Sequence, residues 1–253
     1  MRGNMRAFYR LLGERSPGGS VLERDGLLAA IVPSCPGQSI VNGVVYEDAA
    51  ALRAWRDELA AAYSRAGVRR WRVWVPEGDS AVGGWLRTRG HELAASPRAM
   101  TLALVDREFD LSDEFDDERT DDVAALASIN EQAYGLPAGE FTRALTALAG
   151  DSVELYLARE RGEPVACVAA IDADADCGIY AVATRPASRG RGLASALMRR
   201  ALMDARRRGC TSSSLQSSTS GFSVYQRLGY RDLGAIDTWE YRSTLPGQRA
   251  RPG

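Results

Sequence analysis

The most constraining feature of this sequence is an order of predicted elements that occurs twice. In the first half a helical segment ends at Gly67 and is followed by a strand-like run, a short helix and a second strand that begins after Gly90. The same order recurs around Gly209 and Gly229 in the second half. A repeated supersecondary unit predicts two related folding units, although chance recurrence of a common α/β pattern would produce the same order.

Hydrophobic periodicity assigns both helices and strands to each half. Residues 48–66 carry apolar side chains at helical spacing, whereas residues 70–76 alternate apolar side chains with arginines in the manner of a strand. In the second half, three strand-like runs follow Gly150 and precede a helix from about 192 to 208. Strands interleaved with helices predict an α/β (α+β) fold.

An acidic stretch divides the chain. Residues 106–121 are rich in Asp and Glu and poor in apolar side chains, which is typical of a linker or a solvated loop. We therefore predict a first domain at 1–105 and a second domain at 122–245, whose first helix is capped by Thr120. Residues 246–253 are predicted to form a disordered tail.

Composition excludes several kinds of catalytic site. All 32 basic residues are arginine, so no lysine can serve as a nucleophile or Schiff base. A catalytic Ser-His-Asp or Cys-His pair would have to use His91, because it is the single histidine. No two cysteines form a Cys-x-x-Cys pair, so we expect no metal site. The cysteines are predicted to be small core residues of a reducing compartment; they are Cys35, Cys167, Cys177 and Cys210.

Charge and hydropathy limit the partners and the location. The net charge of −1 provides no basic field for nucleic acid or for an anionic membrane surface. The chain starts with a polar segment that lacks the apolar core of a signal peptide, and no window approaches the roughly 18 apolar residues of a membrane span. We expect a soluble, cytoplasmic protein, either a monomer or a homodimer, with no nucleic-acid or membrane partner.

A glycine-rich turn lies between an apolar strand and the helix that starts near residue 192. Helix amino termini leave N–H groups unpaired and carry about half a positive charge. Glycine allows the backbone to approach an anion closely, and arginine adds charge-assisted hydrogen bonds. The turn therefore predicts a pyrophosphate site, although by itself it would also suit an exposed basic loop that caps a helix. Its sequence is Arg189-Gly190-Arg191-Gly192-Leu193-Ala194.

Two other classes of phosphate-binding loop fit this turn poorly. A Walker loop requires Gly-Lys-Ser/Thr, and the chain contains no lysine. A Rossmann motif requires a third glycine, whereas the corresponding residue here is Ser195. The strand at 211–218 also lacks the acidic residue that a Rossmann fold uses to bind ribose.

Residues of about 106–243 resemble the GNAT superfamily of N-acetyltransferases. The family's Gln/Arg-x-x-Gly-x-Gly/Ala signature is matched by Arg189, Gly192 and Ala194, and a segment from Leu215 to Tyr230 follows at the family's separation. The resemblance implies two GNAT-like domains, each a mixed, mostly antiparallel sheet flanked by helices. The first half resembles a decayed copy without a glycine-rich turn, which implies that it has lost cofactor binding.

The resemblance also implies how acetyl-CoA would be bound as co-substrate. Backbone groups around Val182 would pair with the pantetheine arm between two diverging strands, and the Val182 N–H would polarise the thioester carbonyl as an oxyanion donor. Ser218 stands where many relatives have asparagine beside the pantetheine. The implied cofactor-binding residues are Val182, Ala183, Thr184, Arg189, Gly190, Arg191, Gly192, Leu193, Ala194, Ser195, Ser218 and Tyr225.

Tyr225 is the implied general acid, because a phenol can protonate the departing thiolate; the alternative is a core tyrosine. No general base is assigned. The aspartates of 172–176, Glu154 or water could accept the proton of the amine. The acceptor pocket is expected to include Tyr134, Phe141 and Trp239, unless these aromatic side chains belong to the core.

The function predicted from this resemblance is acetyl-CoA-dependent N-acetyl transfer, by direct attack, to the amine of a small-molecule acceptor. Alternatives are acetylation of protein amines, and a cysteinyl amino-sugar acceptor by analogy with the family's tandem mycothiol synthases. A non-catalytic acyl-CoA-binding sensor is an alternative of a different class.

Overall fold

The computed structural model describes residues 1–109, 116–145, 150 and 153–243. The first half consists of α1 (Arg2–Arg15), β1 (Ser20–Arg24), β2 (Leu27–Ile31), β3 (Gly43–Tyr46), α2 (Ala49–Arg65), β4 (Arg70–Pro76), α3 (Ser80–Thr88), β5 (His91–Ala95) and β6 (Arg98–Ala103). The second half consists of β7 (Asp116–Thr120), α4 (Val123–Tyr134), α5 (Glu140–Leu145), β8 (Glu154–Glu160), β9 (Glu163–Ala173), β10 (Asp176–Thr184), α6 (Leu193–Arg207), β11 (Ser212–Ser217), α7 (Phe222–Arg227) and β12 (Arg231–Arg242).

The strands form a mixed and mostly antiparallel sheet flanked by helices, which confirms the predicted fold class. The described strands hydrogen-bond in the order β1-β2-β3-β4-β12-β6-β11-β10-β9-β8-β7, and β5 also pairs with β12. Each half contains one parallel pair joined by a crossover helix. These pairs are β3 with β4 across α2, and β10 with β11 across α6.

The two halves exchange their last strands. Strand β6 belongs to the first half in sequence, but it lies between β11 and the start of β12. The remainder of β12, from Ile236 to Arg242, pairs with β4 and β5 of the first half. Each half therefore completes the sheet of the other, and the chain forms one continuous structure.

A hydrophobic core shared by both halves lies beside this sheet. Helix α1 contributes Phe8 and Leu12 to this core, and α4 contributes Leu126 and Ile129. The side chain of Asn4 ties α1 to the second half, because its Nδ2 donates to the carbonyl oxygens of Ile171 and Asp176, each at 2.8 Å. Helix α1 was not predicted from the sequence, and it is one of the elements that join the halves.

The structure corrects two details of the predicted boundary. Residues 116–120, assigned above to the acidic linker, form the edge strand β7, whose Glu118 is paired with Arg159. Charged side chains are well suited to a sheet edge because they oppose pairing with other chains. The cap of α4 is Asp122 rather than Thr120, since the Asp122 carboxylate accepts the N–H of Ala125 at 2.8 Å. Residues 110–115 and the predicted tail at 246–253 lie outside the described residues.

None of the helices in the described part of the chain is long and apolar enough to cross a membrane. Its four cysteines are buried and free of disulfides. Across the same described residues, no group of three or more His, Cys, Asp or Glu side chains is placed to hold a metal ion.

Candidate active site

Strands β10 and β11 diverge, as the sequence analysis predicted. They pair in parallel only from Asp176 to Gly178 on β10, opposite 212–214 on β11. The closed end is fixed by Asp176, whose carboxylate accepts hydrogen bonds from Ser212 at 2.8 Å and Ser214 at 2.5 Å. Beyond this point the two strands line a cavity of about 370 Å³. The cavity lies where an inserted ligand could replace the missing strand-to-strand hydrogen bonds.

A bulge in β10 exposes unpaired backbone to this cavity. The register with β9 shifts between Tyr180 and Ala183, so Ala181 and Val182 have no strand partner. Ala181 has a φ of 50°, a left-handed conformation that non-glycine residues rarely adopt. Both bulge residues line the cavity. Ala183 and Thr184 rejoin the ladder with β9.

Helix α4 fixes the bulge from behind. The Asn130 Nδ2 donates to the Ala181 carbonyl at 3.2 Å, and the Tyr134 hydroxyl donates to the Val182 carbonyl at 3.0 Å. Because α4 binds the two carbonyl oxygens, the backbone is held in one arrangement at the cavity wall. Asn130 was not selected from the sequence, although a polar side chain on the buried face of an apolar helix could have identified it.

The glycine-rich turn places the amino terminus of α6 at the end of β10. Gly190 and Gly192 have φ values of 79° and 83°, which glycine adopts without strain. Gly192 is also the N-cap residue, and no side chain caps the helix. The first-turn N–H groups, from Leu193 to Ser195, are thus left without a side-chain acceptor and can bind an anion.

The two arginines of this turn are engaged by the protein. Arg189 donates to the carbonyl oxygens of Ala133 at 3.0 Å and Thr184 at 3.3 Å, and Arg191 pairs with Glu160 at 2.8 Å. Their guanidinium groups therefore position the turn, in addition to any contact they make with a phosphate. Arg189 also lies at the carboxyl end of α4, where a cation is favoured by the helix dipole.

Tyr225 of α7 lines the same cavity from the β11 side. Its side chain is buried, and burial raises the pKa of the phenol above its ordinary value. The hydroxyl therefore remains protonated throughout the neutral range. Ser218 also lines the cavity and its hydroxyl accepts the N–H of Gly221 at 3.3 Å, so it helps to start α7.

Two of the three aromatic residues expected in the acceptor pocket line this cavity. Tyr134 and Phe141 line the cavity, whereas Trp239 does not. Trp239 is buried in the first-half core against Gly83 of α3, because β12 directs this side chain to the opposite face of the sheet. The assignment of Trp239 to the acceptor pocket is therefore wrong.

The first half supplies much of the remaining wall. Its contribution comes from α1, β4 and the segment before β3, and none of these residues was assigned to a site from the sequence. The first-half residues that line the cavity are Met5, Phe8, Tyr9, Gln38, Ile40, Arg72 and Trp74.

Three of the four carboxylates considered as general bases have other partners. Asp172 pairs with Arg208 at 2.6 Å, Asp176 is bound by the serines of β11, and Glu154 pairs with Arg119. None of these lines the cavity, and no Asp, Glu or His is found among the described residues of its wall. Burial raises the pKa of the Cys167 thiol to about 12, so this thiol is protonated at neutral pH and is poorly suited to act as a nucleophile.

Comparison with known proteins places this site in a family. Residues 111–230 match the model of the acetyltransferase (GNAT) family, and no curated protein matches the chain at a significant level. The fold is similar to that of a GCN5-related N-acetyltransferase from Kribbella flavida, with a TM-score of 0.69 and 16 % identity over 98 % of this chain and 96 % of the other.

Two further solved structures share the fold. A GCN5-related N-acetyltransferase from Sphaerobacter thermophilus has a TM-score of 0.62 and 16 % identity, covering 87 % of this chain and 82 % of the other. A tandem GNAT protein from the clavulanic acid biosynthesis pathway has a TM-score of 0.58 and 13 % identity, covering 85 % and 78 %. The matched segment contains the bulged strand β10, the glycine-rich turn and Tyr225. Residues 111–230 are therefore an acetyltransferase domain of the GNAT family.

Proposed function

We propose that this protein is an acetyl-CoA-dependent N-acetyltransferase in which the amine of a small-molecule acceptor attacks the acetyl group directly. The observation that carries the proposal is a cavity lined both by the bulge at Ala181–Val182 and by Tyr225. The uncapped amino terminus of α6 follows at the end of β10, the strand that contains this bulge. Acetyl-CoA would supply the acetyl group as an activated thioester.

The residues present fit acetyl-CoA in two places. The α6 terminus offers unpaired N–H groups to a pyrophosphate, with glycines at 190 and 192 where a side chain would obstruct the approach. The unpaired backbone at the bulge would pair with the pantetheine arm. The Val182 N–H would then hydrogen-bond to the thioester oxygen, and such a donor typically contributes about 3–4 kcal/mol to transition-state stabilisation.

Tyr225 would donate its phenolic proton to the sulfur as the carbon–sulfur bond breaks, while the attacking nitrogen loses a proton. Its raised pKa ensures that the proton is present when the reaction starts. With no carboxylate or imidazole in the described cavity wall, the nitrogen's proton would leave through water, and water would return a proton to the Tyr225 phenolate. A covalent enzyme intermediate is not required, in agreement with the raised pKa of Cys167.

The shape of the site supports a small acceptor over a protein. The cavity of about 370 Å³ is within the range of small-molecule sites, and its walls come from both halves of the chain. A protein substrate would require an open groove for several residues on each side of the reacting amine.

We further propose that the chain carries one acetyl-CoA site. In the first half, the helix at the position equivalent to α6 is α2, and its amino terminus is capped by the carboxylate of Asp48, which accepts the Ala50 N–H at 2.9 Å. A carboxylate at this point occupies one of the first-turn N–H groups and would repel a phosphate. Two glycine substitutions test the site.

Acetyl-CoA binding is measured by calorimetry on the wild-type chain, on Gly192→Glu and on Gly84→Glu. Gly84 is exposed on α3 with open space around it, so this variant adds the same bulk and charge away from the site. We expect Gly192→Glu to abolish binding and Gly84→Glu to retain it. Unchanged affinity in Gly192→Glu would overturn the site assignment.

Release of free CoA is then followed with a library of small amines and amino-terminal peptides. Turnover of small amines supports the proposal, and turnover restricted to peptides would favour protein acetylation. Tight acetyl-CoA binding without turnover of any acceptor would instead favour an acyl-CoA sensor.

A further inference from the structure

The cavity is almost free of charge. Of the described residues that line it, Arg72 alone carries a formal charge, and the others are apolar, aromatic or neutral polar side chains. Arg72 comes from β4 of the first half, outside the segment that matches the acetyltransferase family. A lone guanidinium in such a wall is costly unless an anion compensates it.

Strand alternation directs Arg72 toward the cavity. On β4, Trp71, Val73 and Val75 belong to the first-half core, so Arg72 and Trp74 project to the opposite face. Both residues line the cavity, and the Arg72 guanidinium lies 5.6 Å from the centre of the Trp74 ring.

No carboxylate in the described part of the chain forms an ion pair with Arg72. Its Nε and one terminal nitrogen both donate to the Ser39 hydroxyl, at 3.0 and 2.8 Å. Ser39 in turn donates to Glu240, whose carboxylate is paired with Arg70 and Arg242. Burial lowers the pKa of Arg72, and electrostatic interactions with Tyr9 and Glu240 offset this effect only in part.

The surrounding wall offers a ligand little besides apolar surface. The rings of Phe8 and Tyr180 stack at 4.2 Å with an interplanar angle of 7°. The Trp74 indole donates to the Tyr9 hydroxyl at 2.6 Å, and that hydroxyl donates to the Ile40 carbonyl at 3.0 Å. These polar groups are already satisfied within the protein, so this part of the wall favours an apolar or aromatic body.

We propose that the acetyl acceptor is an amino compound with an apolar or aromatic body and a carboxylate that pairs with Arg72. This inference rests on the proposed function and specifies the substrate class of the same site. A guanidinium binds a carboxylate through charge-assisted hydrogen bonds. A single guanidinium matches the single charge of a carboxylate, whereas a phosphomonoester would bring a charge of about −1.5 to −2. The first half thus selects the acceptor, while the second half binds the acetyl donor.

The test compares acceptors in matched pairs. Each aromatic or aliphatic amino acid in a panel is assayed beside its carboxamide, which removes the negative charge and preserves the shape. Because the carboxamide also changes the basicity of the amine, the diagnostic quantity is the change in the acid-to-amide ratio of kcat/KM upon mutation. The variants are Arg72→Met and Arg72→Lys, with Arg65→Met as the matched control.

Arg65 is exposed at the carboxyl end of α2, in the same half of the chain, and it does not line the cavity. We expect Arg72→Met to lower the acid-to-amide ratio by roughly 10- to 100-fold, the range for a hydrogen bond to a charged group. Arg72→Lys should retain part of the preference, and Arg65→Met should retain all of it. Acetyl-CoA affinity should be unchanged in every variant.

The outcomes separate the two proposals. Turnover of small amines with equal ratios in the wild type and in Arg72→Met would overturn the carboxylate assignment and leave the acetyltransferase function in place. Weaker acetyl-CoA binding in Arg72→Met would assign the arginine to the donor and would also overturn the assignment. Absence of turnover by the wild type with every acceptor, despite acetyl-CoA binding, would instead refute the proposed function.

Discussion

The buried histidine makes the stability of this protein depend on pH in a calculable way. His91 is 1 % exposed; its ring packs edge-on against Trp71 at 4.7 Å and lies tilted against Tyr241 at 5.4 Å. Burial lowers its pKa from 6.5 to about 4. Below pH 6.5 the unfolded chain therefore gains a proton that the folded chain excludes until pH 4. The free energy of unfolding falls as the pH drops through this window.

The size of this loss of stability follows from the change in the pKa of His91 on folding. A difference of 2.5 pKa units corresponds to about 3 kcal/mol when the titration is complete, and about 2 kcal/mol is lost by pH 5. Since His91 is the single histidine in the sequence, no other imidazole contributes. A chain with His91→Phe keeps an aromatic ring in the core and removes the titration.

Urea unfolding of the wild type and of His91→Phe between pH 7.5 and 4.5 measures the effect. The difference between the two free energies, which cancels the carboxylates common to both, should change by about 2 kcal/mol between pH 7.5 and 5. An NMR titration of the single imidazole provides the folded-state pKa independently. A pH-independent difference, or a folded-state pKa near 6.5, would refute the argument.

Two further predictions concern catalysis and packing. Tyr225→Phe should lower kcat by about 100-fold or more while acetyl-CoA affinity is retained. The control Tyr230→Phe removes a hydroxyl outside the cavity wall and should retain kcat. A wild-type rate of CoA release by Tyr225→Phe would refute the role of Tyr225 as general acid. Gly178→Ala should lower the free energy of unfolding by about 2–4 kcal/mol, because its Cβ would lie 1.8 Å from Oδ1 of Asn4, the residue whose Nδ2 anchors α1. Gly84→Ala, at an exposed position of helix α3, should instead raise the free energy of unfolding by about 0.5–1 kcal/mol. If Gly178→Ala lowered the free energy of unfolding by less than about 1 kcal/mol, α1 would be shown to adjust freely to the added methyl group.

The strand, turn and helix of the candidate donor site could be predicted because their determinants are local. One strand, one turn and one helix adjacent in sequence bring Val182, Gly190 and Gly192 together, and hydrophobic periodicity with glycine placement predicts such a unit. The bulge itself was not predicted, because the left-handed conformation of Ala181 depends on Asn130 and Tyr134 of a different element.

The acceptor side could not be predicted in the same way. Arg72 and Phe8 reach the cavity only through the packing of β4 and α1 against the second half, and no local pattern records that packing. Met5, Phe8 and Leu12 do lie at helical spacing, so α1 itself was predictable. Trp239 was misplaced because a residue's face on a strand depends on its register, and β12 changes partners along its length.

Because the halves exchange their last strands, neither half of the chain has a complete sheet of its own. If the backbone were cut between residues 109 and 116, each fragment would still lack a strand that the other fragment carries, and it would expose the open sheet edge left behind. The two pieces would behave as subunits of an obligate heterodimer, held together by β6 and β12. A fragment of the second half alone would therefore lack β6, and we expect the two halves to require each other for folding.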